Sequence, residues 1–339
     1  MKELRAAIIG CGGIHHVHAQ TLADIPQAKL VAVCDIKPER AEASAKAYGA
    51  RAYTKAEDVF ALEDVDVVHI TTPHYLHAPL AIAALKAGKY VLCEKPMATS
   101  NADARAMIDA ADGRLGIIFQ NRYNAGAQKM KEIIESGEYG AVKCIRGAVT
   151  WVRTPAYYSD DWHGRKALEG GGVMMNQAIH TLDLVQWLAG PALTVAGQIN
   201  TQSLRGVIEV EDTAQFRIRF ASGAVGIFFA TTGYGVDDEV EVEIVLEKET
   251  FWLRSDRLYR RPQGGELELI CRNEGLIPKG KGYWGTGHLM QLRDYYESIS
   301  QGKPIWLDGR EGYRALSITQ ALYRSAEQGG VEVDVEWID

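Results

Sequence analysis

Residues 6–15 have the sequence AAIIGCGGIH, and this stretch decides the fold that we expect. Its first four residues are small or apolar and predict a short buried strand, and a helical pattern follows from about Val17 to Leu22. Between them stands the pattern Gly-x-Gly-x-x-X, in which His15 occupies the place of the usual third glycine or alanine. The first glycine allows a tight turn, and the second lets backbone N–H groups approach a diphosphate at the helix N-terminus. The stretch therefore predicts the start of a dinucleotide-binding unit.

A second apolar strand, over residues 30–34, ends in an acidic residue, Asp35. A carboxylate at this place can accept hydrogen bonds from the adenosine ribose hydroxyls and would repel a 2′-phosphate, so the sequence favours NAD over NADP. Lys37 and Arg40 are close enough to weaken that preference, so NADP remains an alternative. A glycine turn in an α/β domain that binds no ligand is the other interpretation of the pattern.

Helical and strand patterns continue to alternate after Asp35, which is typical of a parallel, doubly wound sheet. We therefore expect an α/β protein in which residues 1–123 form a dinucleotide-binding Rossmann domain. The predicted helices cover 41–48, 75–87 and 101–111, and the predicted strands cover 65–70, 90–93 and 115–119.

Polar residues follow these strands at their carboxyl ends, where an open α/β sheet binds its ligands. Lys95 comes directly after the strand 90–93 in the run Glu94-Lys95-Pro96, and the proline fixes the exit of the chain. An ammonium group placed there can reach a bound ligand, although a surface lysine at a turn is the alternative. The other residues expected around the same crevice are Thr71, Pro73, Asn121 and Arg122.

The pattern changes after Tyr123, because strands of alternating polarity now dominate. We expect residues 124–339 to form an α/β domain with a large, mostly antiparallel sheet, for substrate binding and oligomerisation. One face of that sheet should be covered by helices, and the open face could line a substrate cleft or make a dimer interface. The predicted strands cover 142–152, 194–201, 213–220, 224–231, 240–246 and 250–254, and the helices 128–136, 288–300 and 309–327.

The most polar group of residues follows a glycine triplet at 170–172. A helix predicted from 173 to 188 places Asn176, His180 and Asp183 on one face, because they are spaced i, i+4, i+7. Glycines allow close approach of another element or a ligand, so we interpret this face as part of a site. A polar stripe facing water, or a buried and merely hydrogen-bonded His180, are the alternatives. Asp183 could orient His180 or pair with an arginine.

Composition excludes several classes of function. The chain has 339 residues, 47% of them hydrophobic, and a net charge of −7, so a basic surface for nucleic acid is not supported. No apolar run approaches the roughly 18 residues of a membrane span, and no secretory leader precedes the first strand. Five cysteines without C-x-x-C spacing fit small core residues in a reducing cytoplasm. We expect no metal site.

Together these motifs resemble the Gfo/Idh/MocA family of sugar and polyol oxidoreductases. The resemblance implies a Rossmann domain, a C-terminal α/β domain with an open sheet, and a homodimer or homotetramer formed through that sheet. It extends to residues 313–315 and 323–326 and so covers nearly the whole chain. The motifs that carry it are Gly10-Cys11-Gly12-Gly13-Ile14, Thr72-Pro73, Glu94-Lys95-Pro96, Asn121-Arg122-Tyr123 and Gly170-Gly171-Gly172 followed by residues 176–183.

The catalytic pattern of the family is the lysine of Glu-Lys-Pro together with Asp-x-x-x-His on the later helix. Lys95 and His180 match it, whereas Asn176 stands at the aspartate position. Asn-Gln-x-x-His occurs in branches resembling nucleotide-sugar uronate dehydrogenases, and an asparagine can orient a sugar hydroxyl but cannot act as a base. The resemblance thus implies oxidation of a sugar carbinol by NAD, with His180 as base and Lys95 stabilising the developing alkoxide. The two roles could be exchanged.

Further residues are assigned to the two ligands on the same grounds. Tyr283 and His288 are expected to close the site from the C-terminal domain. The residues expected to bind the cofactor are Gly10, Gly12, Gly13, Ile14, Asp35, Ile36, Arg40, Thr71, Thr72, Pro73, His77, Glu94, Lys95, Asn121 and Arg122. The residues expected to contact the substrate are Lys95, Arg122, Tyr123, Tyr158, Trp162, Asn176, His180, Tyr283 and His288.

Two other functions fit the same motifs. A redox-neutral lyase or glycosidase would keep NAD bound, oxidise a glycoside transiently and reduce it again after elimination or hydrolysis. A regulator that senses NAD without catalysis is the second alternative, and the presence of both Lys95 and His180 argues against it. Net formation of NADH from a free sugar would separate the dehydrogenase from both.

Overall fold

The computed structural model describes residues 3–273 and 287–338. These residues form two compact units, and the chain passes from the first to the second twice. The first unit contains residues 3–120 and 287–313, and the second contains 121–273 and 314–338. Among the residues that the structure describes, no helix is both long and apolar enough to cross a membrane.

The first unit is built on a sheet of six parallel strands in the order β3-β2-β1-β4-β5-β6. This order reverses direction between β1 and β4, and such a switch point is where α/β sheets bind their ligands. The sheet confirms the predicted doubly wound α/β fold. Its strands are β1 (Leu4–Ile9), β2 (Ala28–Cys34), β3 (Arg51–Tyr53), β4 (Val67–Ile70), β5 (Tyr90–Cys93) and β6 (Leu115–Ile117).

Helices connect these strands, and a late helix completes the same core. The predicted helices are found within a few residues of their expected bounds. Leu292, Tyr295 and Tyr296 of the late helix α9 share a hydrophobic core with Leu22 and Leu92. The helices are α1 (His15–Leu22), α2 (Pro38–Tyr48), α3 (Ala56–Phe60), α4 (His77–Lys86), α5 (Asn101–Ala111) and α9 (Gly287–Gln301).

The position of α9 differs from the predicted boundary after residue 123. We expected everything beyond that residue to form the C-terminal domain, yet residues 287–313 pack with the first unit. The physical reason is that α9 buries its apolar face against the hydrophobic core around β1 and β5, which removes that face from water. The functional division of the chain at residue 123 stays a prediction.

The second unit contains a nine-stranded sheet in the order β14-β13-β12-β11-β7-β10-β9-β8-β15. The pairs are antiparallel except for β10 with β7, which confirms the predicted, mostly antiparallel second sheet. The strands are β7 (Val142–Thr150), β8 (Ala192–Asn200), β9 (Thr213–Phe220), β10 (Val225–Thr231), β11 (Glu241–Leu246), β12 (Thr250–Arg254), β13 (Arg257–Arg260), β14 (Glu268–Cys271) and β15 (Val333–Asp334).

Residues along these strands alternate between a buried and an exposed face. Phe216 and Phe228 stack on the buried face with ring centroids 5.1 Å apart, and the helices α6 and α8 pack on strands of this sheet. Ile227 and Phe229 point to the exposed face. The helices are α6 (Ala125–Ser136), the short α7 (Lys166–Glu169), α8 (Ile179–Ala189) and α10 (Gly309–Glu327), which begins in the first unit and continues in the second.

The predicted helix from 173 to 188 is wrong in its first turns, because α8 begins only at Ile179. Residues 173–178 form turns, in which the N–H of Ala178 donates to the carbonyl of Val173. The carboxylate of Glu211 accepts the N–H groups of Gly172 and Met174 and fixes this segment outside a regular helix. Asn176 therefore does not share a helix face with His180 and Asp183.

Candidate functional site

The glycine turn between β1 and α1 lies at the switch point of the first sheet. Gly10 has φ +98°, and a Cβ there would lie 2.7 Å from the carbonyl oxygen of Thr71. The hydroxyl of Thr71 also donates to the carbonyl of Gly10 over 2.6 Å. Only glycine fits such a position, since both the backbone conformation and the space exclude a side chain. The end of β4 thus holds the turn, and the predicted cofactor residue Thr71 acts on the backbone of that turn.

The next two glycines of the turn border open space. A Cβ at Gly12 or Gly13 would meet no atom within 4 Å. The side chain of His15 turns back, where its Nδ1 contacts the carbonyl oxygen of Gly12. Burial lowers the pKa of His15, so the ring is neutral near pH 7 and its Nδ1–H donates this bond. The turn has room for a diphosphate beside the N-terminus of α1, and the residues present fit the predicted dinucleotide.

Asp35 follows β2 and is anchored to the backbone on both sides. One of its oxygens accepts the N–H of Cys11 over 2.8 Å, and the other accepts the N–H of Lys37 over 2.9 Å. Each carboxylate oxygen has a second lone pair, so Asp35 can still accept the predicted ribose hydroxyls. The neighbouring side chain of Ile36 is 81% exposed, and Arg40 is exposed as well.

Lys95 is half-buried and follows β5 directly. The residue before it, Glu94, is buried, and one of its oxygens accepts a hydrogen bond from His18 over 2.9 Å. Its other oxygen accepts the backbone N–H of Lys95 over 3.2 Å. Burial alone would raise the pKa of Glu94, but hydrogen bonds from His18 and His288 outweigh it and hold the pKa well below its usual value. A fixed negative charge therefore stands next to Lys95.

Two of the predicted ligand residues, His77 and His288, are buried and contact the loops that follow β4 and β5. The ring of His77 is buried, with Nδ1 2.7 Å from the carbonyl oxygen of Pro96 and Nε2 2.8 Å from that of Thr72. It joins the loops that follow β4 and β5. His288 is buried in the first unit, where its Nε2 lies 3.8 Å from Glu94, so its expected position in the C-terminal domain is wrong. Tyr283 lies outside the described residues.

In the second unit, Asn176 is oriented by partners that the sequence did not indicate. Its amide nitrogen donates to Glu169 over 2.7 Å and to the hydroxyl of Tyr157 over 3.3 Å. Glu169 is itself buried, and its second oxygen accepts the N–H of Gly164 over 2.5 Å. Both hydrogens of the amide nitrogen are directed at these two groups, which sets the orientation of the whole side chain.

Arg122 and Asp183 form a buried ion pair within the second unit. Two nitrogens of the guanidinium donate to the two carboxylate oxygens over 2.7 and 2.6 Å. The side chain of Arg122 is 0% exposed, and its guanidinium lies 5.5 Å from the ring centre of Trp187. The prediction that Asp183 pairs with an arginine is confirmed. Two donors of Arg122 face Asp183 in the interior, and its predicted contact with cofactor and substrate stays a prediction.

The remaining candidates lie as follows. Lys95 is in the first unit, whereas His180 is half-buried at the start of α8 in the second. Tyr123, Tyr158 and Trp162 are half-buried, and Asn121 is buried, all in the second unit.

Several supporting residues were missed by sequence reasoning. His69 interrupts an otherwise apolar buried strand, and that break in the pattern was an available signal. The sequence carries no such signal for Glu169 and Glu211, because their partners are distant in sequence or lie on irregular backbone. Glu211 also accepts the hydroxyl of Tyr323 over 2.9 Å, and burial raises the pKa of both residues.

These features define a dinucleotide-binding Rossmann unit followed by a mixed α/β unit with an ordered polar cluster, which is the architecture of an NAD-dependent oxidoreductase. Residues 4–121 match the family model described as "Oxidoreductase family, NAD-binding Rossmann fold", and residues 127–252 match the GFO/IDH/MocA C-terminal domain. The chain therefore belongs to the GFO/IDH/MocA oxidoreductase family. The predicted family, enzyme class and NAD cofactor are confirmed.

Characterised relatives and a solved structure align over nearly the whole chain. The WlbA dehydrogenase of Bordetella pertussis, in complex with NADH and UDP-GlcNAcA, is 32% identical with a TM-score of 0.86 and full coverage of both chains. An inositol 2-dehydrogenase of Salmonella typhimurium is 35% identical over 97% of this chain and 96% of its own. A levoglucosan dehydrogenase of Pseudarthrobacter phenanthrenivorans is 26% identical over 100% of this chain and 98% of its own.

Proposed function

We propose that the chain is an NAD-dependent dehydrogenase that oxidises a secondary alcohol of a sugar, sugar acid or other polyol. The observation that carries the proposal is the position of Lys95, which follows β5 directly. The glycine turn after β1 of the same sheet borders open space, where we propose that the diphosphate binds. Ligands of such sheets lie beyond the carboxyl ends of the strands. The names of the relatives, which include dehydrogenases of inositol and levoglucosan, support the substrate class.

Bound NAD supplies the hydride acceptor for this reaction. The N–H groups around Gly12 and Gly13 would hold its diphosphate, and Asp35 would accept the adenosine ribose hydroxyls. The exposed side chain of Ile36 would cover the adenine. Ile14, Arg40, Thr72, Pro73, Glu94 and Asn121 are proposed at the same cofactor site, with Thr71 and His77 supporting its loops.

Oxidation of an alcohol also needs a base for the hydroxyl proton and a positive charge for the developing alkoxide. We assign the base to His180 and the positive charge to Lys95, with the reverse assignment as the alternative. Asn176, whose amide nitrogen donates to Glu169 and Tyr157, is proposed at a substrate hydroxyl. Tyr123, Tyr158 and Trp162 are proposed at further hydroxyls.

A panel of free sugars, inositols, uronates, nucleotide-sugar uronates and glycosides, each with NAD and with NADP, tests the proposal. The readout is the absorbance of the reduced nicotinamide. Net NADH formation with at least one free sugar or polyol, and a preference for NAD, is expected. Cleavage of glycosides without net NADH would instead establish the redox-neutral enzyme, and binding of NAD without turnover across the panel would establish the sensor.

Replacing Gly12 by alanine should separate cofactor binding from folding. The added methyl group meets no protein atom within 4 Å, so the unfolding midpoint should not change. It projects into the space proposed for the diphosphate, so NADH affinity should fall by about tenfold or more, which is about 1.4 kcal/mol. Titration of NADH fluorescence measures this. Gly235→Ala is a matched control, because a Cβ at Gly235 also meets nothing; equal affinities in the two variants would remove the diphosphate from this turn.

Replacing Lys95 by methionine keeps the length of the side chain and removes its charge. We expect kcat to fall by about 10²- to 10³-fold, because a donor aimed at developing negative charge is lost. NADH affinity should change much less. Lys86→Met, an exposed position on α4, is the control and should keep the parent rate. A Lys95→Met enzyme with the parent kcat would exclude Lys95 from the chemical step.

The exposed face of the second sheet supports the proposed homo-oligomer. Ile227 is 54% exposed and lies near the half-exposed Phe229 and Tyr234, in a shallow hollow that Arg146 and Glu241 also line. Exposed apolar patches of this kind are typical of protein interfaces. Ile227→Glu should therefore lower the mass measured by light scattering to that of one chain. Val207→Glu, at an exposed apolar residue outside the strands, should not. A parent protein that is already monomeric would contradict the proposal.

The cysteines support the proposed cytoplasmic location. None of the five forms a disulfide, and Cys11, Cys34 and Cys93 are buried. Burial raises the pKa of Cys11 to about 11 and that of Cys34 to about 12, so both are unreactive thiols near pH 7. Such side chains act as small hydrophobic residues, which suits a reducing compartment.

A further inference from the structure

A chain of hydrogen bonds crosses the interior of the first unit and ends at Glu94. The hydroxyl of Tyr296 on α9 lies 2.8 Å from Nε2 of His69 on β4, and Nδ1 of His69 lies 2.8 Å from Nδ1 of His18 on α1. Nε2 of His18 lies 2.9 Å from Glu94. His18, His69 and Tyr296 are fully buried. Three elements distant in sequence thus form one hydrogen-bonded network that ends at the residue before Lys95.

The carboxylate end of the chain fixes the direction of its hydrogen bonds. An ionised Glu94 can only accept, so Nε2 of His18 must carry a hydrogen. A neutral His18 then has a bare Nδ1, which accepts from Nδ1–H of His69. A neutral His69 in turn has a bare Nε2, which accepts from the hydroxyl of Tyr296. Every donor therefore points toward Glu94.

The tyrosine end gives the same direction independently. Within the described part of the chain, His69 is the hydrogen-bond partner of the Tyr296 hydroxyl. A fully buried hydroxyl that only accepted would leave its hydrogen without an acceptor, which is costly. The hydroxyl therefore donates to Nε2 of His69, and the hydrogen of His69 lies on Nδ1. Burial lowers the pKa of His69 well below its usual value, so this ring stays neutral.

Among the described residues, the titratable groups around Glu94 outside these hydrogen bonds carry no charge near pH 7, apart from Lys95. His77 on α4 and His288 on α9 are buried, and burial lowers the pKa of both. The thiol of Cys93 on β5 has its pKa raised well above the usual value by burial. Glu94 and Lys95 are thus the opposed charges of this region.

We propose that His18 and His69 are positioning residues for Lys95. With their hydrogens directed toward Glu94, these rings hold it as a carboxylate, and the second oxygen of Glu94 accepts the backbone N–H of Lys95 over 3.2 Å. The proposal rests on the proposed function, because it assigns the network to the residue that meets the reacting oxygen. It predicts that a donor to Glu94 is required at residue 18, but that a titratable ring is not.

The hydrogen positions can be measured without any substrate. In the parent protein labelled with ¹⁵N-histidine, NMR should show His18 with its hydrogen on Nε2 and His69 with its hydrogen on Nδ1. Spectra of His18→Gln and His69→Asn assign the two rings. A hydrogen on Nδ1 of His18 would reverse the direction of these hydrogen bonds and overturn the proposal. This readout does not depend on the activity of the enzyme.

The role toward Lys95 is tested by comparing His18→Gln with His18→Leu. The glutamine amide can still donate to Glu94, so its kcat should stay within about threefold of the parent, whereas leucine should cost about tenfold or more, as for other supporting residues. Without the donor the pKa of Glu94 rises, so the acid limb of the kcat profile of His18→Leu should move to higher pH. NADH titration and circular dichroism verify that both variants fold and bind cofactor.

The outcomes separate this proposal from the proposed function. If His18→Leu is folded and keeps the parent kcat and pH profile, the hydrogen bonds from Tyr296 to Glu94 only stabilise the first unit, and the proposal fails. If glutamine costs as much as leucine, a titrating ring is required and the positioning role fails as well. If the parent protein reduces no NAD with any sugar or polyol, the proposed function fails. The tautomers measured by NMR would still decide the direction of the hydrogen bonds from Tyr296 to Glu94.

Discussion

The His180→Asn variant should bind NADH like the parent and turn over about 10²- to 10⁴-fold more slowly, which is the usual contribution of a positioned general base. His180 lies in the first turn of α8 in the second unit and is half-buried, so the substitution disturbs little packing. The remaining rate should rise with pH, because the alcohol must then lose its proton to solvent. Measurements of kcat across pH with the best substrate of the panel provide the test.

The control for this experiment is His16→Asn, at an exposed histidine on α1 that is bonded to the hydroxyl of Tyr48. It should keep the parent rate. A loss of less than threefold in His180→Asn, with an unchanged pH profile, would assign the base to another residue. The alternative assignment, in which Lys95 is the base, would then be the first to examine.

The Arg122→Met variant should lose about 3–5 kcal/mol of unfolding free energy, because breaking a buried ion pair leaves one charge without compensation. The group left behind is Asp183, which is fully buried and also accepts a longer hydrogen bond of 3.3 Å from Gln186. Urea unfolding monitored by fluorescence measures the loss. Many proteins have little more stability than this, so the variant should be unfolded or close to it at 37 °C.

Two further variants show whether the buried charge is responsible. Replacing both partners, as in Arg122→Met with Asp183→Leu, should recover much of the loss, since no uncompensated charge then remains. Arg219→Met removes a guanidinium from an exposed pair with Glu332 and should change the unfolding midpoint little. A decrease below about 1 kcal/mol in Arg122→Met would mean that Asp183 finds water or another partner.

The first sheet was predictable because its rules are local. Strands of three to seven residues alternate with turns and helices, so the glycine turn, Asp35 and Lys95 could be placed at carboxyl strand ends from sequence alone. Period-two alternation gave the strands of the second sheet in the same way. Neither inference needed contacts between distant residues.

Distant contacts account for what the sequence did not predict. α9 is amphipathic, but nothing in residues 287–301 tells which core receives its apolar face, and it packs with strands more than 150 residues earlier. Arg122 does follow a strand end, yet its side chain pairs with Asp183, 61 residues away. The break before Ile179 depends on Glu211, whose carboxylate binds backbone that periodicity assigns to a helix.

The central proposal is that Lys95 and His180 act on one substrate oxygen, and a double-mutant cycle tests it most directly. kcat/KM is measured for the parent, Lys95→Met, His180→Asn and the double variant, with NADH binding verified in each. Groups that act as a unit show strongly non-additive losses. We expect the double variant to be within about threefold of the slower single variant. Losses that multiply, so that the double variant falls to the product of the two single effects, would show that the two groups act independently and would contradict the claim.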